Sequence, residues 1–303
     1  MPLDRLGPLI EDYRLTIGQG EMSAHGRADY GPRRKHVALD EVLLDGVHVD
    51  YVNDPELTRR AVEAVAKAKR APRTEIEIRR ARLIRSELAF VNRTQDPDYR
   101  VFVAALDLTL ADWSNQPEAA PSRFRARGAF MGSGRTAIQG HFRPDRDGPD
   151  FDLAVAIEGT DLEAMNDLLR AHANLDATEG SFSFFSEIRV TDQRIDGYVK
   201  PLFHDVEVYD RQQDREDGFF HKLWERIAEG LAEILENRPR EEVATVADIS
   251  GPLSNPDASN LQVVLNLIEN AFFEAILPGF REREESRGRE EGRSEEPARR
   301  GSP

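Results

Sequence analysis

From Leu175 to Asp210 the chain alternates apolar and polar residues. Phe182, Phe184, Ile188 and Val190 share one parity, with Ser183, Glu187 and Arg189 between them; Val206 and Val208 sit between Asp205, Glu207 and Tyr209. Side chains on a strand point to opposite faces every second residue, so such a segment has one oily face and one wet face. The same pattern fills most of the chain. Residues 9–51 predict a first strand set (Leu15, Ile17, Met22 and Ala24, then Val37 and Leu39, then Leu43, Val47, Val49 and Tyr51), with turns at Gly18 to Gly20 and Tyr30 to Arg33. Strands follow at Ile76 to Phe90, Val101 to Trp113, Phe124 to Phe130, Thr136 to Phe142 and Thr245 to Ile249. Phe151, Leu153, Val155 and Ile157 give the cleanest alternation.

Helical periodicity predicts four amphipathic helices, at about 56–70, 160–172, 217–237 and 259–277. The first opens at Asn53-Asp54-Pro55, and its Arg59, Arg60, Lys67 and Lys69 read as a solvated basic face. Thr160 with Glu163 has capping-box spacing and opens the second. The third carries Phe219, Phe220, Leu223, Trp224, Ile227 and Leu231 as a broad stripe. The fourth includes Phe272 and Phe273 but is too polar and too short for a membrane span. Residues 281–303 are charged, with nothing apolar to bury, and predict a disordered tail.

An internal repeat is visible. Leu9, Leu15, Gly20 and Met22 precede Leu169, Leu175, Gly180 and Phe182 by 160 positions, while Leu43, Val47 and Val49 precede Leu202, Val206 and Val208 by 159. A third copy is suggested at Leu83 to Phe90 with Val101 to Leu110. Units that cannot bury their own apolar face must stack, which gives an elongated sheet. The fold expected is therefore mostly β (α+β): a curled antiparallel sheet of repeated strand units with an apolar concave face, plus the helices. Its divisions are β-groove repeats with an inserted helix over 1–150, a groove with capping helices over 151–280, and the tail.

Composition narrows the function. A formal charge of −15 over 303 residues argues against a nucleic-acid partner, which needs a basic stripe. It also argues against broad attachment to anionic lipid, while leaving room for a local basic patch. Cysteine is absent, which removes disulfides and thiolate metal sites. The N-terminal stretch has no apolar run long enough for a signal peptide or membrane span.

Catalytic motifs are missing. Gly132-Ser133-Gly134 lacks the flanking glycine of a nucleophile elbow and reads as a hairpin turn. Asp145, Asp147, Asp150 and Asp152 around Gly148 lack the glycine position and distal Glu of a calcium loop. Alternation with Leu202 and Val206 directs His204 to the apolar side, where a local carbonyl more often satisfies a lone histidine. Asn92-Arg93-Thr94 fits a glycosylation sequon, relevant only in a eukaryotic secretory setting. No catalytic residue, metal or cofactor is expected, and the chain reads as a non-enzyme.

The oily face can be closed core, or it can stay partly open as a trough in which each buried methylene contributes about 0.8 kcal/mol. The residues alone favour a closed core. One resemblance shifts that balance. Gly197 to Leu202 (GYVKPL), Asn237-Arg238-Pro239, Ile249-Ser250-Gly251-Pro252, and Ala271-Phe272-Phe273 to Pro278-Gly279-Phe280 resemble the C-terminal region of an AsmA-like bacterial envelope family. The resemblance is strongest over 150–280. It implies TamB/AsmA-type repeating β-grooves in the periplasm of Gram-negative bacteria, holding phospholipid acyl chains for intermembrane transport or outer-membrane biogenesis. It also implies a longer protein with a membrane-anchored N-terminal part, so that this chain is expected to be a fragment. On this reading the groove residues are Phe151, Leu153, Val155, Ile157, Phe182, Phe184, Ile188, Val190, Val206 and Val208. The stripe Phe219, Phe220, Leu223, Trp224, Ile227 and Leu231, with Phe272 and Phe273, docks on a membrane or an envelope partner. The alternative is a closed-core scaffold acting through β-edge or helix contacts with other proteins.

Overall fold

Hydrogen bonding joins the alternating segments into one continuous sheet. The computed structural model describes residues 15–31, 35–54, 74–116, 119–143, 149–173, 175–210, 242–244 and 246–253. The strands are β1 (Leu15–Gly18), β2 (Glu21–Tyr30), β3 (Lys35–Asp45), β4 (His48–Asn53), β5 (Glu75–Asn92), β6 (Tyr99–Ser114) and β7 (Ser122–Phe130). They continue as β8 (Gly134–Arg143), β9 (Asp150–Asp161), β10 (Leu175–Thr191), β11 (Arg194–Asp210), β12 (Glu242–Ala244) and β13 (Ala247–Pro252). All 13 belong to one curled, unclosed sheet. The β8–β9 ladder runs from Arg135↔Glu158 to Arg143↔Asp150, so the sheet continues unbroken past residue 150. The helices expected at 56–70, 217–237 and 259–277, and the tail at 281–303, lie outside the described residues.

The mostly antiparallel order has one feature that alternation does not encode. Both β3 and β4 pair with β5 in parallel. Parallel neighbours need a crossover connection rather than a hairpin, and residues 54–74 supply the length for one here.

The repeat seen in the sequence is also a repeat of register. Leu15↔Tyr51, Thr16↔Asp50 and Ile17↔Val49 in β1–β4 correspond to Leu175↔Asp210, Asp176↔Tyr209 and Ala177↔Val208 in β10–β11. Beyond the interruption, Glu21↔Asp45 and Met22↔Leu44 correspond to Ser181↔His204 and Phe182↔Phe203. Both units bend at a glycine. Gly20 (φ +93) lies where a Cβ would come within 2.9 Å of the Val47 Cα, and Gly180 (φ +119) where one would come within 2.9 Å of the Val206 Cα. The β5–β6 hairpin bends at the same relative place through Arg85 (φ 51) and Ala105 (φ 48). An extra residue in one strand raises the local twist, so three aligned bends curl the sheet.

The second expected helix is present but starts later than the capping-box spacing suggests. Thr160 and Asp161 remain in the β9–β10 ladder, opposite Phe182 and Ser181. The turn begins with a 3₁₀ segment, Leu162–Met165, whose N-cap Asp161 makes no side-chain capping bond, and continues as helix α1 (Asn166–Ala173). Sheet pairing outcompetes the local cap because it satisfies both backbone groups of each strand residue. Asn166 fixes α1 to the sheet. Its side-chain oxygen accepts the Ala177 N–H at 2.7 Å, and its amide donates to the Ala177 carbonyl at 2.9 Å. Arg170 adds ion pairs to Asp176 and to Asp167.

Candidate functional site

The register places the apolar parities of successive strands in continuous rows. One row runs Met22–Leu44–Leu83–Leu108–Ala126–Ile138–Val155–Ser186–Val199 and meets Ala247, crossing β2, β3, β5 to β11 and β13. The next row runs Ala24–Val42–Ala81–Leu110–Phe124–Gly140–Leu153–Ile188–Gly197–Ile249 through the same strands. The opposite face carries cross-strand ion pairs, among them Arg123–Asp112 at 2.8 Å, Arg135–Glu158 and His141–Asp152.

The two ends of the apolar face differ. At one end the 3₁₀ turn and α1 close it: Leu162, Met165 and Leu168 pack with Ile157, Ala177, Phe182, Phe184, Val199 and Tyr99, and Phe182 is 0% exposed. Tyr99 on β6 and Val199 on β11 belong to this one cluster although four strands lie between them, which makes the apolar side the concave side. Towards the other end Phe151, Leu153, Ile188, Val190 and Ile195 form a second buried cluster, flanked by the half-buried Phe124, Ile138, Phe142 and Val155. Between and beside these, Leu83, Leu88, Val103, Leu108 and Leu110 are half-buried along β5 and β6. A depression of about 150 Å³ lies at the ends of β8, β9 and β10, lined by Phe142, Phe151 and Val190, by His141, Asp152 and Arg189 and by the Arg143–Asp150 pair (3.1 Å).

The candidate residues thus separate. Phe151, Leu153, Val155 and Ile157 stand opposite Val190, Ile188, Ser186 and Phe184 on one face. Phe182, Phe184 and Ile157 lie in the covered cluster, with Val206 packed against it, and Val208 stands opposite Ala177 in the ladder. Val155 bridges the two clusters. Phe219, Phe220, Leu223, Trp224, Ile227, Leu231, Phe272 and Phe273 lie outside the described residues. His204 turns away from the apolar side. It pairs with Ser181 beside Phe203↔Phe182, and the left-handed Asp205 (φ 49) then resets the parity, so that Val206 rather than His204 joins Phe203 against the core.

Leu83, Leu88, Val103, Leu108, Leu110 and Ile138 lie in segments that the sequence reads as strands but are not among the groove residues it points to. Their signal was the same alternation, but only register shows that their parity joins that of Phe151 to Ile157.

Buried polar groups other than the Thr160 hydroxyl, which has no hydrogen-bond partner among the described residues, are satisfied structurally. Asn92 is 0% exposed; its amide donates to the Tyr99 hydroxyl at 3.0 Å and its oxygen accepts from the Thr94 N–H and hydroxyl. The sequon's Asn92 is therefore buried with its acceptor nitrogen engaged, while Arg93 and Thr94 are exposed. Titration behaviour follows neighbouring charges. Asp45 bonds the Arg85 guanidinium and raises its pKa. Arg100 loses hydration by burial, yet Glu87 and Asp50 hold it above its ordinary value. Partial burial, then the Glu187 carboxylate, pushes the Tyr198 phenol up. Each of these shifts moves away from neutrality. Among the described residues no group of three His, Asp or Glu side chains could hold a metal ion. The aspartate-rich turn around Gly148, whose sequence lacks the calcium-loop pattern, lies largely outside them, while Asp150 and Asp152 are held by Arg143 and His141.

No protein-family model and no curated protein matches the chain. Among the described residues no helix is long and apolar enough to cross a membrane.

Proposed function

We propose that this chain is a non-enzymatic AsmA-like envelope module whose concave apolar face binds lipid acyl chains, in the service of phospholipid movement between membranes or outer-membrane biogenesis in the periplasm. The observation that carries the reading is the continuity of the apolar face. Its rows run through ten strands (β2, β3, β5 to β11 and β13), while among the described residues the one helix covers only the end beyond Phe182 and Ile157. A closed globular core needs no such length. An extended chain of methylenes does, because its binding energy grows with each group removed from water, about 0.8 kcal/mol apiece. The sequence resemblance to AsmA-like proteins points the same way.

The competing reading is a scaffold that recruits another protein through an edge strand. It is favoured by β2, which among the described residues pairs on one side only, with β3, and presents Tyr30 84% exposed. An exposed edge is a ready template for strand addition.

Probe binding separates the two. The full chain should bind a fluorescent fatty acid, and Leu108→Asp should weaken that binding at least about tenfold. The half-buried position lets the new carboxylate reach water, so the unfolding midpoint should fall by no more than about 1–2 kcal/mol. Unchanged probe binding in a folded Leu108→Asp protein would remove the trough and leave the scaffold.

A further inference from the structure

The convex face carries an array of positive charge that the acidic composition hides. On β5, Arg80 and Arg82 stand opposite Ala111 and Thr109 of β6; on β6's other side the same two residues stand opposite Arg123 and Arg125 of β7, and Arg127 follows opposite Asp107. Pairing fixes all of these on one face, and all five arginines are exposed. Two residues of strand rise separate neighbours along a strand by about 7 Å, and two strand spacings separate Arg82 from Arg125 by about 10 Å. Arg123 is bound to Asp112. Arg80, Arg82, Arg125 and Arg127 have no ion-pair partner among the described residues, whereas Arg79, Arg85 and Arg135 around them are paired with Asp40, Asp45 and Glu158.

The array has an apolar border. Leu39, Ile78 and Trp113 are direct partners across β3, β5 and β6, two positions along the strands from Arg80 and Ala111 and on the same face. All three are half-buried. Here the inner-face alternation of β5 gives way, and an aromatic–aliphatic strip emerges on the outer side beside the guanidinium groups.

We infer that this convex patch docks on the surface of a membrane containing anionic phospholipid. Small residues between the arginines leave the array flat, without the converging walls that hold a single anion. Repeated, separated phosphates on a plane match guanidinium groups spaced at about 7 and about 10 Å. Trp and aliphatic side chains bordering basic residues suit the headgroup level of a bilayer, where one part of the surface is wet and the adjoining part is oily. A nucleic acid would use the charges but not the strip. The inference stands apart from occupancy of the trough, which lies on the other face.

The test is co-sedimentation of the full chain with vesicles of phosphatidylcholine alone and with added phosphatidylglycerol. Binding is expected only to the anionic vesicles, falling as salt rises. The double variant Arg82→Glu with Arg125→Glu should bind at least about thirtyfold more weakly, since each basic residue near an anionic surface contributes about fivefold and the new carboxylates add repulsion. A control with the same charge change elsewhere, Arg93→Glu with Arg194→Glu, should bind like the parent. Trp113 fluorescence should shift to the blue on binding, in a Trp224→Phe background that leaves Trp113 as the reporter. Equal loss in both double variants, no vesicle binding by the parent, or displacement from vesicles by equimolar single-stranded DNA would overturn the assignment.

Discussion

Replacing Phe182 with alanine should destabilise the protein by about 3–5 kcal/mol, the range for deleting a fully buried aromatic side chain. Phe182 is 0% exposed and joins the β10–β11 ladder to α1. Its ring lies 5.2 Å from that of Phe203 and 6.3 Å from that of Phe184. Alanine leaves a cavity bounded by Leu162, Met165 and Leu168, and these cannot all collapse into it while Asn166 clamps the helix to Ala177. Urea denaturation followed by far-ultraviolet circular dichroism measures the loss. A loss below about 1 kcal/mol would mean that the covered end is not packed as described.

Gly180→Ala should cost nearly as much, about 3 kcal/mol, for a different reason. At φ +119 an L side chain is strained, which costs about 1–3 kcal/mol. The added Cβ would also lie 2.9 Å from the Val206 Cα and 3.0 Å from the Asp205 and His204 carbonyl oxygens. Those are backbone atoms and cannot swing aside. Gly20 occupies the equivalent bend, against Val47, so Gly20→Ala should show a comparable defect. Denaturation midpoints of the two variants measure this, and a neutral Gly180→Ala would contradict the register equivalence of the two units.

The extent to which this fold was legible follows from the range of the interactions involved. Alternation over Phe151 to Ile157 and Phe182 to Val190 is local, and the structure places those parities together on one face. Gly132-Ser133-Gly134 reads correctly as a hairpin: Gly132 and Ser133 donate to the Ala129 and Phe130 carbonyls. Thr160 misleads, because a cap and a strand end present the same residue and only the distant β10 decides between them. His204 misleads because the bend at Asp205 interrupts a parity that the sequence continues. The parallel β3–β5 and β4–β5 pairings leave no local trace at all.

The candidate sites divide in the same way. Residues of the apolar face announce themselves strand by strand, but which of them are covered depends on where α1 lands, on Phe182 and Ile157 rather than on Leu108 or Ile138. The arginine array is invisible until β6 brings β5 and β7 to either side of Thr109 and Ala111. In the sequence, Arg80, Arg82, Arg123, Arg125 and Arg127 are only the polar partners of alternating strands.

The central claim, that the concave face holds acyl chains, is tested most directly by mass spectrometry of organic extracts from the full chain. The protein would be exported to a bacterial periplasm and purified without detergent. The account predicts near-stoichiometric phospholipid in the parent, and its loss in Val155→Asp, which places a carboxylate where the two apolar clusters meet. Lipid-free protein that is fully folded, or lipid retained unchanged in a folded Val155→Asp variant, would contradict it.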